Sequence, residues 1–227
     1  MKQYLCCLLS FLLCVGAARA QPGIRAGTNV ATLSTVNRES PARDARATGK
    51  VGWQLGVFYE RRLAGRWSLV PELRYSYQRQ ELRVVDNSVS DGSYAGQYVL
   101  RLGYLQVPVW ARAAFRRGYL EAGPQLGMLV NAHETGTETT GSIAGRTTLA
   151  VDRPATDRYR RADIALGIGG GVRLTTEWGI SLRVATGLVS LTEAYATPRN
   201  YGGTLRNQVA QLSLTYQVKK PAATKTP

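Results

Sequence analysis

The sequence predicts an all-β fold: an eight-stranded antiparallel up-and-down transmembrane β-barrel with short periplasmic turns and long external loops. Three observations predict it. Eight runs alternate apolar and polar residues with the period of a strand. Their connections alternate in length: long, tight, long, tight, long, tight, long. Charges and glycines gather on the parity opposite the apolar one, while apolar-parity aromatics stand near the ends of the runs.

The chain opens with Lys2, an apolar stretch from Tyr4 to Val15, and small residues at Ala18 and Ala20. Residues 1–20 therefore read as a secretory signal peptide cleaved between Ala20 and Gln21. Cys6, Cys7 and Cys14 all lie within it, and Leu13 before Cys14 is larger than a lipidation motif asks for, so the leader reads as cleaved rather than lipidated. The mature chain then has no cysteine, which excludes a disulfide scaffold, a thiol nucleophile and Cys-ligated metal. No other segment approaches the ~18 apolar residues of a spanning helix. A closed barrel is the remaining way for an exported chain to cross a membrane.

The first run, Gly23 to Leu33, carries Ile24, Ala26 and Val30 against Arg25, Gly27 and Asn29. A polar loop is expected from Thr35 to Gly49. Val51 to Leu63 sets Val51, Trp53, Leu55, Val57 and Tyr59 against Gly52, Gln54, Gly56, Phe58, Glu60 and Arg62, and Ala64-Gly65-Arg66 reads as a tight turn. Trp67 to Gln78 follows, then an expected loop from Leu82 to Gly96. Tyr98 to Phe115 changes its apolar parity at Tyr104-Leu105, which marks a bulge or an end of the membrane zone. A turn at Arg116 to Gly118 leads into a fifth run ending near Val130, and Asn131 to Arg161 reads as a long Thr- and Gly-rich loop. Asp163 to Leu174 and Trp178 to Leu188 flank the turn at Thr175-Thr176-Glu177. After a fourth loop, Ser190 to Thr204, the last run is Val209 to Val218. Residues 21–218 thus form one barrel domain, with 219–227 a short polar periplasmic tail.

Alternation alone does not say which parity faces inward, since a soluble lipocalin-like barrel places its apolar face inside. Here nearly all strand charges share the non-apolar parity, Arg61 and Arg101 excepted, and that parity is rich in glycine, which suits a narrow lumen. Tyr59, Trp67, Phe115, Trp178 and Tyr216 agree in parity near one rim, and Trp53, Tyr75 and Tyr77 near the other, as interfacial girdles do. Glu60, Arg62, Glu72, Arg74, Arg112, Glu121, Arg173 and Arg183 are then expected to fill the lumen as paired charges with Gln54, Gln106 and Gln125. Arg112 and Glu121, facing each other across a tight turn, are the first choice for a lumenal ion pair.

At Val70-Pro71-Glu72-Leu73-Arg74-Tyr75-Ser76, Tyr104-Leu105-Gln106-Val107-Pro108-Val109 and Leu120-Glu121-Ala122-Gly123-Pro124-Gln125-Leu126-Gly127 the sequence resembles the PorT-like outer-membrane β-barrel proteins common in Bacteroidetes. The opening from Gly23 to Asn29 and the stretch from Asp163 to Gly171 extend the resemblance over the mature chain. It implies an eight-stranded barrel in a Gram-negative outer membrane, and strand prolines at Pro71, Pro108 and Pro124. For activity it implies only a link to protein secretion through the family's namesake.

The functional expectation is a non-enzymatic outer-membrane protein without cofactor or metal, acting structurally or through its loops on an unidentified envelope protein. The formal net charge of +14 includes no lysine between Lys50 and Lys219, so strand-region cations are arginines, suited to ion pairs and phosphate. Export argues against nucleic acid. Arg158, Arg160 and Arg161, with Arg38, Arg43, Arg46 and Arg153, are candidates for contact with outer-membrane lipid and lipopolysaccharide. Two alternatives stand beside this: a lipid-modifying enzyme using His133 next to Glu134, and a soluble periplasmic lipocalin-like binder.

Overall fold

The computed structural model describes residues 20–36, 43–86, 92–142, 145–191 and 204–218. The expected leader before Ala20, the tail at 219–227, Arg38 and residues 192–203 of the fourth loop lie outside the described residues.

The described residues form nine strands: β1 (Ala20–Val36), β2 (Arg43–Arg62), β3 (Trp67–Asp86), β4 (Gly92–Ala114), β5 (Gly118–Ser142), β6 (Gly145–Pro154), β7 (Ala162–Arg173), β8 (Trp178–Gly187) and β9 (Thr204–Gln217). Eight of them close a barrel in the order β1-β2-β3-β4-β5-β7-β8-β9, with every pairing antiparallel. Closure runs from Gly23 opposite Gln217 to Val36 opposite Thr204. The ninth strand, β6, stands outside this ring and pairs with the upper part of β5, from His133 opposite Pro154 to Ser142 opposite Gly145.

Three tight turns join strands at one rim. Leu63 donates its amide to Trp67 at 2.9 Å, and Gly65 supplies the left-handed φ of 56° that the turn requires. Phe115 donates to Gly118 at 2.8 Å, and Leu174 to Trp178 at 2.9 Å.

The lower half of the wall is apolar outside and polar within. Leu55, Leu73, Leu126, Ile168, Leu182 and Leu212 stand exposed, whereas Gln54, Glu72, Arg74, Gln106, Glu121 and Arg183 are buried. A soluble barrel around an apolar cavity is the reverse of this arrangement, so the lipocalin-like alternative fails. Trp178 packs on Tyr216 at 4.9 Å at the lower rim, and Trp53 on Tyr75 and Tyr77 at 5.5 and 6.0 Å near the upper one.

Three expected loops are largely strand. β3 continues to Asp86, β4 begins at Gly92, β2 begins at Arg43, and Asn131 to Arg161 holds the end of β5, all of β6 and a 3-10 turn at Thr156–Arg158. These strands reach 25 residues, whereas ~9–11 suffice to cross a bilayer. Above the membrane zone their polarity inverts. On β3, Leu82 and Val84 are buried and Arg79 and Arg83 exposed, and on β4, Tyr98, Leu100 and Leu102 turn inward. The inward parity of β4 never changes, so the switch at Tyr104-Leu105 is an end of the membrane zone, which also accounts for Arg101 on the outer face. The bulge sits on the partner strand, where Val130 is the extra residue between Gly103–Asn131 and Tyr104–Leu129. A second irregularity lies in β2 between Lys50 and Trp53.

Candidate functional site

The barrel interior is the first candidate. Glycines at inward positions, such as Gly123, where an added Cβ would run into the Val109 carbonyl, let the wall close tightly around long polar side chains. At the lower rim Glu60 accepts from Ser68 at 3.1 Å and from Gln217 at 3.3 Å, and pairs with Arg173 at 3.2 Å and Arg112 at 2.8 Å. Arg112 also donates through Nε and Nη2 to Glu121 Oε2, at 3.1 and 2.9 Å, across a directly opposed strand pair. The other oxygen of Glu121 takes Arg183 Nε at 2.6 Å, and Arg183 Nη1 reaches Glu72 at 2.8 Å.

Glu72 in turn lies 3.4 Å from Arg25 and 3.6 Å from Arg74. Arg74 is held mainly by amide oxygens, those of Gln106 at 2.8 Å, Gln125 at 2.8 Å and Gln211 at 2.7 Å. Four buried arginines, Arg25, Arg74, Arg112 and Arg183, thus face three buried glutamates. The amide dipoles around Arg74, with the rings of Trp110 below Arg183 at 4.1 Å and Tyr119 below Arg112 at 3.9 Å, disperse the unmatched charge.

Above this ladder the lumen turns apolar. Leu33, Leu100, Leu102, Tyr104, Leu129, Ala132, Ala155, Tyr159 and Leu191 form one buried cluster. The segment after β6 enters from outside as a cap. Ala155 donates to the Ala132 carbonyl at 2.9 Å, and the Ala132 amide donates to Thr156 Oγ1 at 3.0 Å. Buried Glu134 anchors the cap through the Tyr159 hydroxyl at 2.6 Å, Arg153 at 3.0 Å and Arg158 at 3.7 Å. Arg153 also pairs with Glu138 at 2.9 Å, and Tyr98 donates to Glu138 at 2.8 Å. Partial burial raises the Glu138 carboxyl, but these two hydrogen bonds and the charges of Arg153 and Arg158 together hold it below the ordinary carboxylate range.

A family model described as outer membrane protein beta-barrel domain matches residues 17–193. The chain belongs to that family. As a member of the outer membrane protein beta-barrel domain family it resides in the outer membrane of a Gram-negative bacterium. Among curated sequences none matches it. Solved structures of similar fold include Neisserial surface protein A, 9% identical with a TM-score of 0.47, covering 88% of this chain and 99% of that one. Ail of Yersinia pestis is 10% identical with a TM-score of 0.41, covering 88% and 99%. OprG from Pseudomonas aeruginosa is 12% identical with a TM-score of 0.38, covering 89% and 97%.

Within this family barrel, seven of the eight lumenal candidates meet in the ladder. Arg62 does not: as the last residue of β2 it has passed the lower rim and is exposed. Arg25, absent from the expected set, is fully buried within it and donates to Ser181 at 2.7 Å. The basic triplet divides. Arg158 turns toward Glu134, Arg161 is exposed and paired with Asp157 at 2.7 Å, and Arg160 is exposed. Arg153 is tied to Glu134 and Glu138, and Arg43 and Arg46 lie in β2 rather than in a loop.

His133 has a different acid partner from the one expected. The bulge at Val130 sets it on the outer face, where Nε2 meets Asp152 at 2.5 Å, while Glu134 points inward. Among the described residues no hydroxyl is hydrogen-bonded to His133, and no His, Cys, Asp and Glu cluster has the makings of a metal site.

Proposed function

We propose that the protein is a non-enzymatic, non-conducting outer-membrane barrel that displays a rigid extracellular crown to other components of the envelope. The observation that carries this reading is the pair of fillings in one lumen: the Arg–Glu ladder across the membrane zone and the apolar cap above it. A lumen so filled leaves the crown, β6 and the cap as the parts free to act. Lipid and lipopolysaccharide are the surrounding molecules, and among the described residues Arg160 and the Asp157-paired Arg161 are exposed cations on the cap segment.

The resemblance to PorT-like proteins supports the narrower reading that the crown serves protein secretion. A deletion strain with an unchanged profile of secreted proteins would remove that part. For the barrel itself the test is single-channel recording of the refolded protein in planar bilayers. Silence is the expected result, and a steady conductance sinks the filled-barrel reading. The enzyme alternative keeps one supporting feature, the exposed His133–Asp152 pair. Phospholipid hydrolysis by the reconstituted protein that vanishes in His133→Ala would reinstate it.

A further inference from the structure

The strand register aligns four basic side chains at one height on the outer wall. Lys50 lies opposite Arg79, Arg79 opposite Arg101, and Arg101 opposite His133. Two residues below Arg79 stands Tyr77, stacked on Trp53 at the upper aromatic belt. The row therefore sits at the first level where the outward face stops being apolar.

Only two of the four charges are balanced from within. Lys50 pairs with Glu81 at 2.9 Å, and Gln97 also donates to Glu81 at 3.0 Å. His133 is taken by Asp152. Among the described residues none forms an ion pair with Arg79 or Arg101, although these two arginines face each other directly across β3 and β4. Like charges directly opposed on neighbouring strands destabilise a sheet, so the arrangement calls for an anion from outside the chain.

We propose that Arg79 and Arg101, flanked by the Glu81-paired Lys50, form a binding row for the phosphate groups of outer-leaflet lipid. The two arginines stand one strand spacing apart, about 5 Å, and their guanidinium forks present paired donors that suit phosphate oxygens. Lipid is the source rather than a soluble anion because the row is level with the headgroups that the Trp53–Tyr77 belt marks. The inference rests on the reading that the long connections face outward, and it moves the lipid contact from the expected loop arginines to the barrel wall.

The test uses the full-length protein in maltoside micelles, with the temperature at which the heat-resistant gel band is lost as readout. Arg79→Gln/Arg101→Gln is compared with wild type and with Arg160→Gln/Arg161→Gln, before and after addition of diphosphoryl lipid A. In maltoside alone the Arg79/Arg101 variant is expected to melt no lower than wild type, because the repulsion is gone. With diphosphoryl lipid A wild type and the loop variant gain heat resistance, while the Arg79/Arg101 variant needs about tenfold more lipid for the same gain. An equal gain in that variant overturns the proposal, as does an equal wild-type gain from dephosphorylated lipid A or from inorganic phosphate. A variant that melts lower in maltoside alone shows a structural role and also overturns it. Orientation is checked separately by trypsin on intact cells: protection at Arg160 and Arg161 overturns the outward reading and the lipid row together, whereas cleavage there with an unaltered lipid response removes the row alone.

Discussion

Glu121 is the residue on which the ladder turns, since one oxygen holds Arg112 and the other Arg183. Glu121→Gln keeps the volume but removes the charge between two buried guanidinium groups. Breaking a buried pair from one side costs on the order of 3–5 kcal/mol. A urea titration of the refolded barrel is expected to show that loss, with Arg62→Gln at the exposed rim staying within about 0.5 kcal/mol of wild type. Glu138 belongs to a different medium, the aqueous crown. Its carboxyl is held below the ordinary range in the folded state, so its contribution is complete above the unfolded carboxylate pKa and is lost as pH falls through the lowered folded value. The urea midpoint of the refolded barrel is expected to fall over that acid interval, and to fall less in Glu138→Gln, which has no carboxylate to lose there. Parity in the sequence was enough to bring Glu60, Glu72, Arg74, Arg112, Glu121, Arg173 and Arg183 to one side, because side-chain direction in a strand depends on little else. Depth was not legible: Arg62 shares their parity but lies past the rim, and Arg25 belongs to a run whose few large apolar residues made its membrane depth hard to read.

At the scale of the element, β5 shows what the alternation concealed. Its membrane half reads with Leu120, Ala122, Leu126 and Met128 outward, and its crown half is Thr- and Gly-rich with reversed phase. Two physical changes coincide there, since outside the bilayer the inner face is the one that needs apolar residues, and Val130 adds the residue that resets the register. A pattern sought as apolar-outward dissolves into apparent loop at that point, as it does at Leu82 in β3. The parity change at Tyr104-Leu105 was the legible trace, because β4 passes the same level without a bulge. Deleting Val130 is expected to straighten the strand and keep both halves in place, because Asn131 then follows Leu129 as the next outward residue. His133 stays outward, and Glu134 stays inward on Arg153, Arg158 and Tyr159. Heat-modifiable mobility and the rate of tryptic cleavage in the cap should both match wild type; faster cleavage would show that the extra residue does more than set the register.

For the whole molecule, one closed wall serves two solvents, and each half seals its lumen by the means its surroundings allow. In the membrane zone the outer face takes the apolar residues, so the interior is filled with ion pairs and amides. In the crown the outer face meets water, so the interior is filled as an ordinary apolar core. The two seals lie in series, and current through the barrel requires both to open. Arg112→Ser/Arg183→Ser thins the ladder but leaves the cluster of Leu100, Leu102, Leu129 and Tyr159 across the outer end. Tyr159→Ala/Leu191→Ala loosens the cap but leaves Arg183 bridging Glu72 and Glu121 beneath it. Each pair alone is therefore expected to stay silent in planar bilayers. The four substitutions combined should produce discrete conductance steps, in protein shown by its heat-modifiable band to remain folded. Steps from the Arg112/Arg183 pair alone would mean that the cap does not seal, and steps from the Tyr159/Leu191 pair alone that the ladder does not.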